Sequence, residues 1–213
     1  MKKTLIASLA TVALFSSAGA YTVSFLNINS ADATAVPILD NTGTPIAQGS
    51  GFVAAGTFSA APGPDADIAV TFTPFGSGSS SFSNGINANG FFDGSRSEAI
   101  PAGTVDAPVG QSIYLVIGDG DGLATSSNFA VFDPGLVVGT ENAVGLGALD
   151  ILLDDSTLTP ESLLMGNLLT NVDTGLGVVF NEGIQLGGVA VPEPSTSLLA
   201  ALAGLALAAR RRR

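Results

Sequence analysis

Apolar and polar residues alternate along this chain in short runs separated by turn-forming clusters, and long helical periodicity is absent from its central part. Tyr21-Thr22-Val23-Ser24-Phe25-Leu26-Asn27-Ile28-Asn29 has the two-residue period of a half-buried strand. Asp67-Ile68-Ala69-Val70-Thr71-Phe72-Thr73 predicts another. Ser112-Ile113-Tyr114-Leu115-Val116-Ile117 is more densely apolar and predicts a central strand covered on both faces. Asn128-Phe129-Ala130-Val131-Phe132 follows after a short polar link, which predicts that the two runs pair as a hairpin. A further apolar run lies between Gly175 and Leu186. Many short strands with Gly-rich turns predict an all-β fold, an antiparallel β-sandwich with at most one short helix. That helix competes for Thr159 to Leu169, where Thr159 suits an N-cap and Pro160 and Glu161 suit a first turn. Gly166 and Asn167 weigh against it. Gly76 to Gly90 is a run of Gly, Ser and Asn too polar to fill a core, and predicts a long surface loop.

The two ends break this pattern. Lys2 and Lys3 precede a mostly apolar stretch, Leu5 to Phe15, and Ser16-Ser17-Ala18-Gly19-Ala20 then supplies small residues. These are the three parts of a secretory signal, with Ala18 and Ala20 at the −3 and −1 positions of a cut that makes Tyr21 the mature start. The apolar stretch is about half the ~20 residues that a membrane span requires. At the other end, Val191-Pro192-Glu193-Pro194-Ser195-Thr196 precedes a Leu/Ala run, and Arg210-Arg211-Arg212-Arg213 follows it. Each proline fixes φ, removes a donor and keeps its predecessor extended, so Pro-Glu-Pro has the backbone shape that protease clefts accept. The Leu/Ala run favours helix. It reaches about 20–22 Å, short of a ~30 Å hydrocarbon core, and the arginines extend its grip by snorkelling into the cytoplasmic headgroups. Four arginines at one end also set orientation, tail inside and body outside.

Pro192-Glu193-Pro194, a short apolar helix and the basic cluster Arg210 to Arg213, in that order, resemble the PEP-CTERM sorting signal of Gram-negative bacteria. The resemblance spans Val191 to Arg213 and makes Pro192, Glu193 and Pro194 the recognition residues. It implies signal peptidase and exosortase as partners during export, a transient hold at the inner membrane, and delivery to the cell surface or outside. Exopolysaccharide or biofilm matrix is the implied surrounding. The chain thus divides into a signal peptide (1–20), a body (21–190) and a sorting segment (191–213). Asn41 to Phe58, Gly110 to Gly118 and Ser126 to Phe132 also resemble stretches of small PEP-CTERM proteins, but bring no chemistry with them.

Charge narrows what the body does. Of 213 residues, 7 are Lys or Arg and 18 are Asp or Glu, with no His, Cys or Trp. Between Tyr21 and Pro194 the single base, Arg96, stands among all eighteen acids, a balance of −17 against −11 for the whole chain. Nucleic acid is excluded as a partner, because backbone binding needs Lys and Arg to displace counterions. Without His or Lys in the body, a serine nucleophile lacks its usual base, and without Cys there are no disulfides or thiolate-ligated metals. No carboxylate pair stands out as a glycosidase couple, so the body is expected to be non-enzymatic. Asp119-Gly120-Asp121-Gly122 resembles the start of a calcium loop, making Asp119 and Asp121 the candidate ligands of the one candidate ion. Against calcium stand Leu123 at the fifth position and the lack of a closing Glu; Asp-Gly pairs are also ordinary turn chemistry. Asp133, Asp154, Asp155, Asp65 and Asp67 are lesser candidates, and Arg96 is expected to be a surface ion-pair partner. Two functions remain: a structural surface or matrix protein, or a secreted module that binds carbohydrate or another surface ligand.

Overall fold

The computed structural model describes residues 20–28, 34–63, 67–76, 89–101, 103–105, 108–141 and 146–188. The signal segment before Ala20, most of the Gly/Ser loop and the sorting segment lie outside the described residues. In chain order the strands are β1 (Ala20–Leu26), β2 (Ile38–Leu39), β3 (Phe52–Phe58), β4 (Phe72–Pro74), β5 (Asp93–Glu98) and β6 (Ser112–Gly118). They continue as β7 (Asn128–Val137), β8 (Leu146–Leu152), β9 (Leu163–Met165), β10 (Asn167–Asp173), β11 (Val179–Gln185) and β12 (Gly187–Gly188). One helical turn, α1 (Ile68–Thr71), precedes β4.

The β1 alternation is realised: Tyr21, Val23 and Phe25 are buried, with the polar residues between them half-exposed. β1 is the middle of a three-stranded sheet, antiparallel to β5 and parallel to β8. The dense run expected to be central is β6, flanked by antiparallel β3 and β7 in a six-stranded sheet that also holds β4, β9 and β12. Side chains of both sheets meet in one core. Tyr21, Val23, Phe25 and Ile151 from the small sheet pack with Val53, Ala55, Ile113, Leu115, Ile117 and Phe132 from the large one. The β-sandwich expectation holds, with parallel pairs β1/β8 and β2/β11 set among the antiparallel ones.

The opposite face of the large sheet is also covered, which is why β6 is apolar on consecutive residues. Phe52, Ala54, Val116, Phe129 and Val131 form a second cluster with Ile68 of α1, Phe72 and Met165. A third sheet, β10-β11-β2, carries Val172 and Phe180 against Ala35, Leu39 and Phe91. Where β1 ends, Asn27 is fully buried and ties three segments together. Its Nδ2 donates to Val36 O (2.7 Å) and Gly90 O (3.0 Å), and its Oδ1 accepts from Phe92 N (2.6 Å).

Two sequence expectations are corrected. Asp67–Thr73 is not a strand throughout: the Asp67 side chain accepts from Val70 N (3.2 Å) and caps α1, and only Phe72–Pro74 joins the sheet. A carboxylate that can satisfy free helix N–H groups wins over alternation here, and Val70 is left 77% exposed. Thr159–Leu169 is not a helix. The cap signals produce a single turn, with Leu163 N donating to Thr159 O (3.1 Å) and Ser162 N to Thr159 Oγ1 (3.1 Å). The chain then leaves to pair Leu163 and Met165 with the β7 edge, and Gly166 turns it into β10 at φ 105°.

The ends of the body emerge at opposite poles. Tyr21, the expected first mature residue, sets its ring at 6.0 Å from that of Phe75, and its hydroxyl accepts from Gly139 N (3.2 Å) beyond the Val137 end of β7. That end pairs with Ser112, at the start of β6. The last described strand, β12, pairs with Phe129 and Asn128, and Phe129 sits opposite Gly118 at the other end of β6. Six strand steps separate the two levels, roughly 20 Å.

Candidate functional site

Of the two acids singled out as calcium ligands, Asp119 is used by the backbone around it. In the β6–β7 connection, Asp119 Oδ1 accepts from Ser127 N (2.9 Å) and Asn128 N (3.1 Å), and Oδ2 accepts from Asn128 Nδ2 (2.5 Å). Burial alone would raise the Asp119 carboxyl, but the Asn128 and Ser127 hydrogen bonds outweigh it and hold it below the usual aspartate range. Gly120 is required here, since a Cβ would meet Thr125 O at 2.5 Å. Asp121 stands exposed in the same connection. Among the described residues, no three His, Cys, Asp or Glu side chains come together as a metal-binding group.

Among the lesser candidates, Asp67, Asp133 and Asp154 follow the same rule. Asp133 Oδ1 accepts from Gly135 N (2.7 Å) across the Asp133-Pro134-Gly135 bulge of β7. Asp154 Oδ1 accepts from Ser156 N, Ser156 Oγ and Thr157 N (3.0, 2.6 and 3.0 Å). Its carboxyl is lowered because those bonds exceed the upward push of burial. Asp67 caps α1, and Asp65 lies outside the described residues. Asp155 Oδ2 accepts from Asn181 Nδ2 (3.0 Å). Nearby, burial pushes the Glu182 carboxyl up and the Asp155 charge adds to the shift. Arg96 departs from expectation: its Nη1 donates to Ser95 O (2.7 Å), and it forms no ion pair among the described residues. The reason is register, since Arg96 is placed opposite Val23 on the core-facing side of the edge strand β5.

What the sequence did not single out is a cavity of about 340 Å³ at the Ser112 end of the sandwich. Four separated stretches line it: Thr57, Phe58 and Ser59 at the end of β3, Thr73 to Phe75 at β4, Glu98 at the end of β5, and Pro108 with Gln111 before β6. It opens where the small sheet, through Glu98, meets the edge of the large sheet, through the Thr57–Thr73 pair. Glu98 Oε2 accepts from Gly76 N (3.1 Å). The Phe58 ring is wedged between Phe72 and Tyr114, with centroids at 5.0 and 5.2 Å. No spacing in the sequence marks this set, because its members are ordinary strand-end residues brought together only by strand order.

Residues 190–213 match the PEP-CTERM protein-sorting motif. This agrees with the sorting segment read from Val191 onwards, and implies processing by exosortase during export to the cell envelope. Comparison with curated proteins and with solved structures gives no match.

Proposed function

We propose that this is an exported, non-enzymatic component of the bacterial surface or extracellular matrix, carried out by its signal peptide and released from its C-terminal helix by exosortase. The observation that carries the proposal is the sorting motif, joined to a β-sheet body. The use of the body's carboxylates supports it. Asp67, Asp119, Asp133 and Asp154 each cap a turn or helix start and so serve to hold the backbone. With −17 between Tyr21 and Pro194, such a body suits a hydrated, cation-rich matrix and resists self-association. Its association with exopolysaccharide belongs to the same proposal.

The test is intact mass with terminal sequencing of the protein from its host's envelope and medium, in wild-type cells and in cells lacking exosortase. A product that starts at Tyr21 and has lost Arg210 to Arg213 only when exosortase is present is the expected result. A tail retained in the membrane fraction of wild-type cells would overturn the proposal. A second reading, a secreted module for a surface ligand, is favoured by one specific observation, the cavity at the pole opposite β12.

A further inference from the structure

We infer that the cavity beside Glu98 is a binding site for a neutral sugar unit, held at the pole opposite β12, where the described fold ends; the inference rests on the ligand-binding reading of the body. The volume, about 340 Å³, falls at the small end of the roughly 300–1,000 Å³ typical of small-molecule sites. Its lining alternates in the way a sugar ring does. Hydroxyl and amide groups of Thr57, Thr73 and Gln111 suit ring hydroxyls, Ser59 Oγ donates to Thr71 O (3.3 Å) and keeps only its acceptor capacity, and Pro74 and Pro108 offer apolar surface to ring C–H groups.

Charge decides the class of sugar. Among the described residues, Glu98 is the one ionisable group lining the cavity, and no Lys or Arg lines it. A uronate, a sulfated sugar or a phosphate would thus meet a carboxylate with nothing to offset it, inside a body already strongly negative. A neutral sugar offers that carboxylate hydroxyl donors instead, and charge-assisted hydrogen bonds of this kind are the stronger ones. Oε2 is held by Gly76 N, so the carboxylate is oriented while Oε1 has no partner among the described residues.

The walls are preorganised. Thr57 and Thr73 face one another in the β3–β4 pair, and Phe58 is fixed by two neighbouring rings. Gly76 brings its N–H to Glu98 by passing so close to β5 that a Cβ would lie 2.9 Å from Ser97 O, at a φ of +65°. That approach admits glycine alone and fixes the distance between the β4 edge and Glu98. Little ordering is left for the ligand to impose.

The test uses the mature protein recovered from its host, titrated with cellotriose, maltotriose and laminaritriose, and separately with trigalacturonate and with a glucosamine trimer. Saturation-transfer NMR and calorimetry read the binding. Saturable binding of at least one neutral trisaccharide is expected, with trigalacturonate at least tenfold weaker. Glu98→Gln and Gln111→Ala should each weaken it about tenfold, and Thr73→Trp, which fills the cavity from an exposed strand position, should abolish it. Near-UV circular dichroism identifies any variant that fails to fold, and the exposed Gln111 and Thr73 changes then carry the result. No saturable binding of any neutral trisaccharide, equal binding of trigalacturonate, preference for the glucosamine trimer, or binding unchanged by Thr73→Trp would each overturn the site. Exosortase-dependent processing of the same variants is read separately, so loss of the sugar site and loss of the sorting reading give different results.

Discussion

Asn27 shows how much of this fold hangs on single polar side chains. It lies where β1 runs out, with its amide fully buried and hydrogen-bonded to the main chain of two other segments. Removing it takes a buried hydrogen bond from each of Phe92 N, Val36 O and Gly90 O, although Gly90 O still accepts from Ile38 N (2.8 Å), and each lost bond costs about 1 kcal/mol. Asn27→Ala is therefore expected to destabilise by about 3 kcal/mol, read as a lower urea midpoint at unchanged slope. Asn27→Asp should also destabilise, because it trades the Nδ2 donor for a buried charge. The carboxylates set the response to acid. Burial pushes Asp40, Asp119 and Asp154 upward, but side-chain and backbone hydrogen bonds outweigh it and lower all three. A lowered native value means that the unfolded chain binds more protons, so their contribution is present above the unfolded value near 3.9 and is lost as pH falls through the native ones. The melting temperature should fall as pH drops from about 5 to 2, and Asp119→Asn should flatten that fall. Glu182 runs the other way: raised by burial and then by Asp155, its contribution is complete below the unfolded value near 4.3 and is lost as pH rises through the native one. Glu182→Gln should raise the melting temperature at pH 7 by roughly 1–2 °C, allowing for solvent screening, and leave it unchanged at pH 3.

Among the elements, what was legible in the sequence depended on whether a strand's own pattern or its neighbour's edge decided its fate. β1 and β6 were readable because their burial matches their own residues: strict alternation with one core face for β1, and dense apolar character with two covered faces for β6. β7 was readable as the partner of β6, though not its Asp133-Pro134-Gly135 bulge. The Thr159–Leu169 segment was not, because its capping residues are real and do form a turn. The open β7 edge then takes Leu163 and Met165, an option no local window contains. Gly166 is the pivot of that outcome: a Cβ there would sit 3.1 Å from Gln185 O and 3.2 Å from Ala130 Cβ, at a φ that disfavours L-residues. Gly166→Ala should cost about 1–2 kcal/mol, measured by chemical denaturation. If the segment were held as a helix instead, the same change would be stabilising, so the sign of the effect separates the two structures. The cavity was illegible for a related reason. Thr57, Glu98 and Gln111 carry no shared spacing, and they meet only because β5 and β3 belong to different layers that converge at one pole.

Taken as a whole, the molecule is polar in the geometrical sense, and its tether is short. The described fold ends at Gly188, paired with Asn128 beside the Asp119 turn, and Pro192 follows four positions later. Even a fully extended chain spans only about 13–14 Å over that interval. In the proposed sorting route Pro192-Glu193-Pro194 therefore lies within that reach of the β12 end of a folded body, with the β6–β7 connection nearest and the cavity farthest. A protease that must take Pro192-Glu193-Pro194 into a cleft then has to work beneath a rigid sandwich, or else wait for the two-residue β12 to peel from β7. A ten-residue Gly/Ser spacer inserted after Gly188 should relieve that crowding and speed the loss of the tail, read by pulse-chase as the ratio of tail-bearing to tail-free chains. Deleting Val189 to Val191 should slow it. Equal rates for all three chains would mean that the body folds only after the cut, and the same series with Asn27→Ala would then leave processing unchanged while lowering the yield of folded product.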